Sequence, residues 1–150
     1  MSVVSGPKLE YRVSASRIDS HGSKANANAK SASIILDTAV AGRQDAFNPA
    51  ELLLASLAAC MIKGAERALP MLHFDLTGIE VRLHAIRQDA PPLMTEINYE
   101  IIVDTKEDDR RLELLHTNIR KYGTISNTLA SALKLEGTIT RTTSPTKSTL

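Results

Sequence analysis

Cys60 is the only cysteine of the 150-residue chain, and a thiol offers two quite different things. Ionised, it is a nucleophile towards peroxides and disulfides; neutral and buried, it is a small hydrophobe. Its surroundings favour burial: residues Leu52 to Ile62 are apolar except Ser56. A mid-helix position also gains little from the helix dipole, which acts mainly in the first turn. A reactive thiolate therefore needs a cation or base from elsewhere in the fold. Arg17 and Arg43, in the loops around the N-terminal strands, are the candidate cations: either beside Cys60 would lower its pKa and could bind a peroxide oxygen. Taken singly, each also reads as a solvated loop arginine. Glu51 is the nearest acid, but nine positions along one helix mean a rise of about 13.5 Å and about half a turn. Its carboxylate can reach that thiol only between subunits, and its other role is the reciprocal half of a cap with Asn48.

The remaining polar residues add no second chemistry. His21, His73, His84 and His116 show no metal-ligand spacing with one another or with Cys60 and read as turn and surface residues. Asp19-Ser20-His21-Gly22 reads as a turn closed by glycine rather than a triad. There is no glycine-rich phosphate loop, nucleophile elbow or catalytic carboxylate pair. No metal and no cofactor is expected.

The element that must position Cys60 starts at Asn48, a good N-cap, with Pro49 at the first helical position. Pro70 is expected to end it after roughly twenty residues, or about 30 Å. With no polar stripe in its middle, such a helix must be buried on every side. A domain of this size needs a sheet on one face and a second helix or subunit on the other, which leans towards a dimer.

Around that helix the pattern is mixed. Residues 8–15, 24–30 and 33–37 read as three strands, followed by a polar loop over 41–47. Residues 77–104 alternate as a long hairpin turning at Pro91-Pro92: Ile79, Val81, Leu83 and Ala85 lie inward, with Ile86 an exception, then Ile97, Tyr99, Ile101 and Val103. Residues 107–122 switch to helical period, with Leu112, Leu115, Ile119 and Tyr122 on one stripe and Gly123 as the stop. A short helix capped by Ser126 or Asn127 and a last strand over 137–142 follow. Residues 1–7 and 143–150 read as mobile tails. The fold class is α+β, in one domain over residues 1–150.

Bulk properties narrow the function class. Hydrophobic content is 43% with 3% aromatic, so the core is aliphatic. The net charge of +1 carries no nucleic-acid footprint. The central apolar run of about eleven residues cannot span a bilayer, and no signal peptide is evident. One cysteine forms no internal disulfide, which suits a reducing compartment. A cytoplasmic protein with no membrane or nucleic-acid partner is expected.

Asn48-Pro49-Ala50-Glu51-Leu52-Leu53-Leu54-Ala55-Ser56-Leu57-Ala58-Ala59-Cys60 resembles the central helix of the OsmC/Ohr family (osmotically inducible protein C and organic hydroperoxide resistance protein). The element order over roughly residues 8–142 is similar too. The resemblance implies an OsmC-like fold, with antiparallel sheets around a long buried central helix, in an intertwined homodimer. It also implies that Cys60 stands where the peroxidatic cysteine of the peroxidases stands. Two departures follow from the same comparison. The peroxidases carry glutamate directly after the proline, where this chain has Ala50 and then Glu51. Their resolving cysteine falls where Tyr122-Gly123-Thr124-Ile125-Ser126 has glycine, so a sulfenic acid on Cys60 would have no internal thiol to condense with. Two functions remain open. One is a one-cysteine peroxidase acting on organic hydroperoxides in oxidative-stress defence, using Cys60, Arg17, Arg43 and Glu51 and an external thiol reductant. The other is a non-catalytic dimeric module that binds a small hydrophobic ligand.

Overall fold

In a computed structural model, which describes residues 8–142, the alternating stretches form strands and the periodic ones helices. In chain order these are β1 (Val13–Asp19), β2 (Gly22–Ala27), β3 (Ala32–Leu36), α1 (Pro49–Leu72), β4 (Gly78–Asp89), β5 (Pro92–Asp104), α2 (Asp109–Tyr122), α3 (Thr124–Ala130) and β6 (Lys134–Arg141). The expected tails, 1–7 and 143–150, lie outside the described residues. The fold is α+β, with two three-stranded sheets. The chain forms two compact units, one ending at Leu53 and the other beginning at Leu54.

In the first unit β1, β2 and β3 make an antiparallel meander. The first strand starts at Val13 rather than Lys8: Leu9 and Tyr11 alternate as expected but are 79% exposed, and no strand among the described residues pairs with them. Arg17 lies within β1, not in a loop. The loop after β3 is organised by buried Asp37, whose carboxylate accepts from the backbone N–H groups of Ala39 and Arg43. Gly42 supplies the left-handed turn between them, at φ +81°.

The helix α1 begins as its sequence dictates. Asn48 Oδ1 accepts from the Glu51 N–H at 2.8 Å, and Glu51 Oε1 accepts from the Asn48 N–H at 3.1 Å, a reciprocal capping box. Its end is different. Pro70 does not stop it; the helix continues to Leu72 and closes in a Schellman motif. His73 takes the left-handed conformation at φ 48°, its N–H reaching Pro70 O while the Phe74 N–H bonds Leu69 O. Arg111 of α2 secures this terminus by donating to the carbonyls of Leu72 and His73. The proline removes one donor, but external bonds fix the turn beyond it.

In the second unit β4 and β5 pair in antiparallel register over nearly their whole length. A register shift between Ile86 and Arg87 accounts for the break in alternation and leaves Ile86 exposed. The strand β6 departs from antiparallel pairing: it joins β5 in parallel, because the α2–α3 connection carries the chain back to the other end of the sheet. Residues Ile97, Ile101 and Val103 of β5, Leu112, Leu115 and Ile119 of α2, and Leu57, Met61, Ala65 and Ala68 of α1 form one buried cluster. Tyr122, expected on the α2 core stripe, is instead 48% exposed, with the Arg67 and Lys121 cations over its ring. Gly123 closes α2 and opens α3; a Cβ there would meet Ile119 O and Ser126 Oγ at 3.0 Å.

Gly137 of β6 lies against Tyr99, its register partner on β5, and a Cβ would overlap both the ring and the carbonyl oxygen of Tyr99. Gly137→Ala should therefore cost about 3 kcal/mol by overpacking, read as a lower midpoint in urea unfolding. An unchanged midpoint would show that the strand can move aside.

Candidate functional site

On α1 the buried side chains are Leu57, Met61, Gly64, Ala65 and Ala68, a single stripe. At 100° per residue Cys60 lies roughly 85° from the centre of that stripe, at its edge. Accordingly it is half-buried rather than sealed in the core, as the sequence suggested. Among the described residues it has no hydrogen-bond or ionic partner. Nor is the helix covered on every side by its own chain: Leu53 is 36% exposed, and Leu54, Ala55, Ala58 and Ile62 are only half-buried.

Three further candidates belong to the first unit. The Arg43 guanidinium donates through Nε and Nη2 to the two carboxylate oxygens of Asp45 and through Nη1 to the His21 carbonyl. The hydrogen bond that Arg43 donates to Asp45 raises the pKa of Arg43 above the usual guanidinium value and lowers that of Asp45. Gly22 makes room for it, since a Cβ there would meet Nη1 at 2.5 Å. Arg17 is exposed on β1 opposite Ser23 and is engaged by no carboxylate among the described residues. Glu51 is engaged by the cap. Arg43 and Glu51 thus hold local structure, and Arg17 makes no salt bridge among the described residues, although its charge is one of the lesser influences, after the backbone hydrogen bond from His21, that lower the Asp19 pKa.

A second polar cluster lies wholly in the second unit. Arg120 Nη1 donates to Tyr99 Oη at 3.0 Å and to the Leu135 carbonyl at 3.4 Å. Tyr99 Oη lies 2.6 Å from His116 Nε2. A guanidinium only donates, so the phenolic oxygen accepts from Arg120; which of Tyr99 and His116 donates in their own contact depends on the imidazole tautomer. Burial pushes the His116 pKa below its ordinary value; the Glu113 charge opposes this and the Arg120 charge adds to it. The cluster forms the base of an open cleft of about 780 Å³ between α2 and β6.

A family profile described as OsmC-like protein matches residues 42–137, a span that includes α1, Cys60 and this cleft. The chain belongs to the OsmC-like family. No curated protein matches it. Among solved structures it is similar to an OsmC-like protein from Mycoplasma pneumoniae (TM-score 0.79, 20% identity, covering 90% of this chain and 99% of that one). It is also similar to a Legionella pneumophila structure described as an organic hydroperoxide resistance protein OsmC (0.69, 15%, 89% and 99%). The organic hydroperoxide resistance protein OhrB of Bacillus subtilis matches with a TM-score of 0.62 at 17% identity, covering 88% of this chain and 98% of that one. At such identities these likenesses establish the OsmC-like fold, as the helix motif led one to expect. No helix among the described residues is long and apolar enough to cross a membrane.

The sequence reading placed His116 on the surface and passed over Arg120. Two signals were available. Glu113, His116, Thr117 and Arg120 recur at helical spacing beside the α2 core stripe, and Tyr99 is the polar residue in an inward-facing aliphatic series. The pH behaviour follows from the depressed imidazole pKa. An unfolded histidine titrates near 6.5, so below that pH the unfolded chain binds a proton the folded chain resists, and stability falls with pH. Melting temperatures should drop between about pH 7.5 and 5.5, and His116→Gln should flatten that slope. Equal slopes in both proteins would assign the acid sensitivity to other groups.

Proposed function

We propose that this OsmC-like protein is a cytoplasmic homodimer that reduces organic hydroperoxides through Cys60 as a one-cysteine thiol peroxidase. The observation that carries the reading is the position of Cys60: on the family's central helix, at the edge of the buried stripe, where a substrate can reach the sulfur. The thiolate attacks the distal peroxide oxygen, the O–O bond breaks, and the alkoxide takes a proton and leaves as alcohol, with Cys60 oxidised to sulfenic acid. An external thiol then displaces water to form a mixed disulfide, and a second releases the Cys60 thiol and departs in an external disulfide. Arg17 is the cation available to lower the thiol pKa and hold the departing oxygen. Arg43 and Glu51 serve by fixing their own loop and helix start.

Two observations support the dimer. The uncovered apolar residues of α1 need a second surface, and the first unit presents Val13, Ile18, Ile34, Ile35 and Phe47 at 41–68% exposure. Light scattering should give about twice the chain mass of 16.3 kDa; a monomeric mass in dilute buffer would reject the dimer.

A second reading, a non-catalytic module for a small hydrophobic ligand, is favoured by one observation: Cys60 has no polar partner among the described residues. Intact-mass analysis after a stoichiometric dose of cumene hydroperoxide with dimedone present separates the two. A single adduct, absent in Cys60→Ser and weakened several-fold in Arg17→Gln, is expected. A folded protein that takes up no dimedone would leave the binding module.

A further inference from the structure

Four arginines among the described residues are half-buried: Arg43, Arg111, Arg120 and Arg141. Three have carboxylates. Arg43 pairs with Asp45, Arg111 with Glu107 at 3.1 Å, and Arg141 with Asp109. Arg120 has none among the described residues. Its Nη1 is anchored to the Tyr99 hydroxyl and the Leu135 carbonyl, both neutral, and its Nε and Nη2 are unengaged. A guanidinium withdrawn from water without a counter-ion is costly, and the planar fork matches a carboxylate in two-point contact.

The cleft around it has the proportions of a small-molecule site. Its volume of about 780 Å³ falls within the usual range for such pockets. One wall is the polar face of α2, with Glu113, Thr117 and Lys121; the other is β6, with Leu135 and Glu136. The Arg120 fork is preorganised, because Tyr99, only 4% exposed, holds it from one side and is itself held by His116. The two rim glutamates oppose a multiply charged anion, whereas a single carboxylate can sit on the fork with its hydrocarbon part against Leu135. From this unmatched guanidinium and its surroundings we propose that the cleft between α2 and β6 binds a small, singly charged organic carboxylate through Arg120. None of the residues involved is Cys60, Arg17, Arg43 or Glu51, so the site stands or falls independently of the peroxidase reading.

Benzoate is the probe, followed by NMR of the His116 imidazole, which contacts the arginine's anchor. Saturable shifts are expected by about 10 mM, the excess needed to fill a millimolar site, in the native protein and equally in Cys60→Ser. Arg120→Gln should weaken binding about tenfold or more by removing a charge-assisted contact. Arg120→Lys keeps the charge but not the fork, and should also weaken it. Glu113→Gln, which leaves the Tyr99–His116–Arg120 contacts in place, should tighten it several-fold. The absence of a saturable shift in the native protein would overturn the proposal. So would inorganic phosphate binding more tightly than benzoate, or Glu113→Gln binding no better. If Arg120→Gln does not fold, Arg120→Lys and Glu113→Gln still decide the matter.

Discussion

The constraint on which the rest depends is the mismatch between what α1 offers and what its own chain covers. A run that is apolar on all faces receives neighbours along one stripe only, through Leu57, Met61, Ala65 and Ala68. The incompletely covered residues, Leu53, Ala58 and Ile62 among them, would cost solubility if left to water. That same partial covering places Cys60 at a margin. Burial along α1 is set by the angular position of each residue on a helix whose phase is locked by the sheet and by α2.

Electrostatics in the two units follow a common rule. Half-buried arginines are placed by short-range acids: Arg43 by Asp45, Arg111 by Glu107, Arg141 by Asp109. Each then does structural work on backbone carbonyls, at His21, at the α1 terminus and at Glu107 respectively. Cations committed in this way are poor candidates for moving charge in a reaction. Among the half-buried arginines of the described residues, the one that escapes the rule is Arg120, in its cleft. Its cationic charge is left to offer a ligand.

Most of the architecture was legible in the sequence because its signals are local. Alternation fixed the inward faces of β4 and β5 down to the break at Ile86, and Asn48, Pro49 and Glu51 wrote the start of α1. The end of α1 was misread because its determinants are remote: Arg111, thirty-nine positions from Leu72, holds the last turn, and His73 takes a conformation usually left to glycine. The parallel entry of β6 is equally invisible to periodicity, which reports faces and not directions. Cys60 and the family motif were plain from residue types. The Tyr99–His116–Arg120 cluster was not, since it joins a strand to a helix through contacts that no single stretch of sequence contains.

The glycine between α2 and α3 carries a consequence for variation at this turn. Gly123 has a φ of −79° that is open to any residue; what makes it special is crowding by the Ile119 carbonyl and the Ser126 hydroxyl. A side chain enters here only if a neighbour gives way, and the backbone carbonyl is the less able to do so, so the tolerance of the turn for anything larger than hydrogen is decided at Ser126.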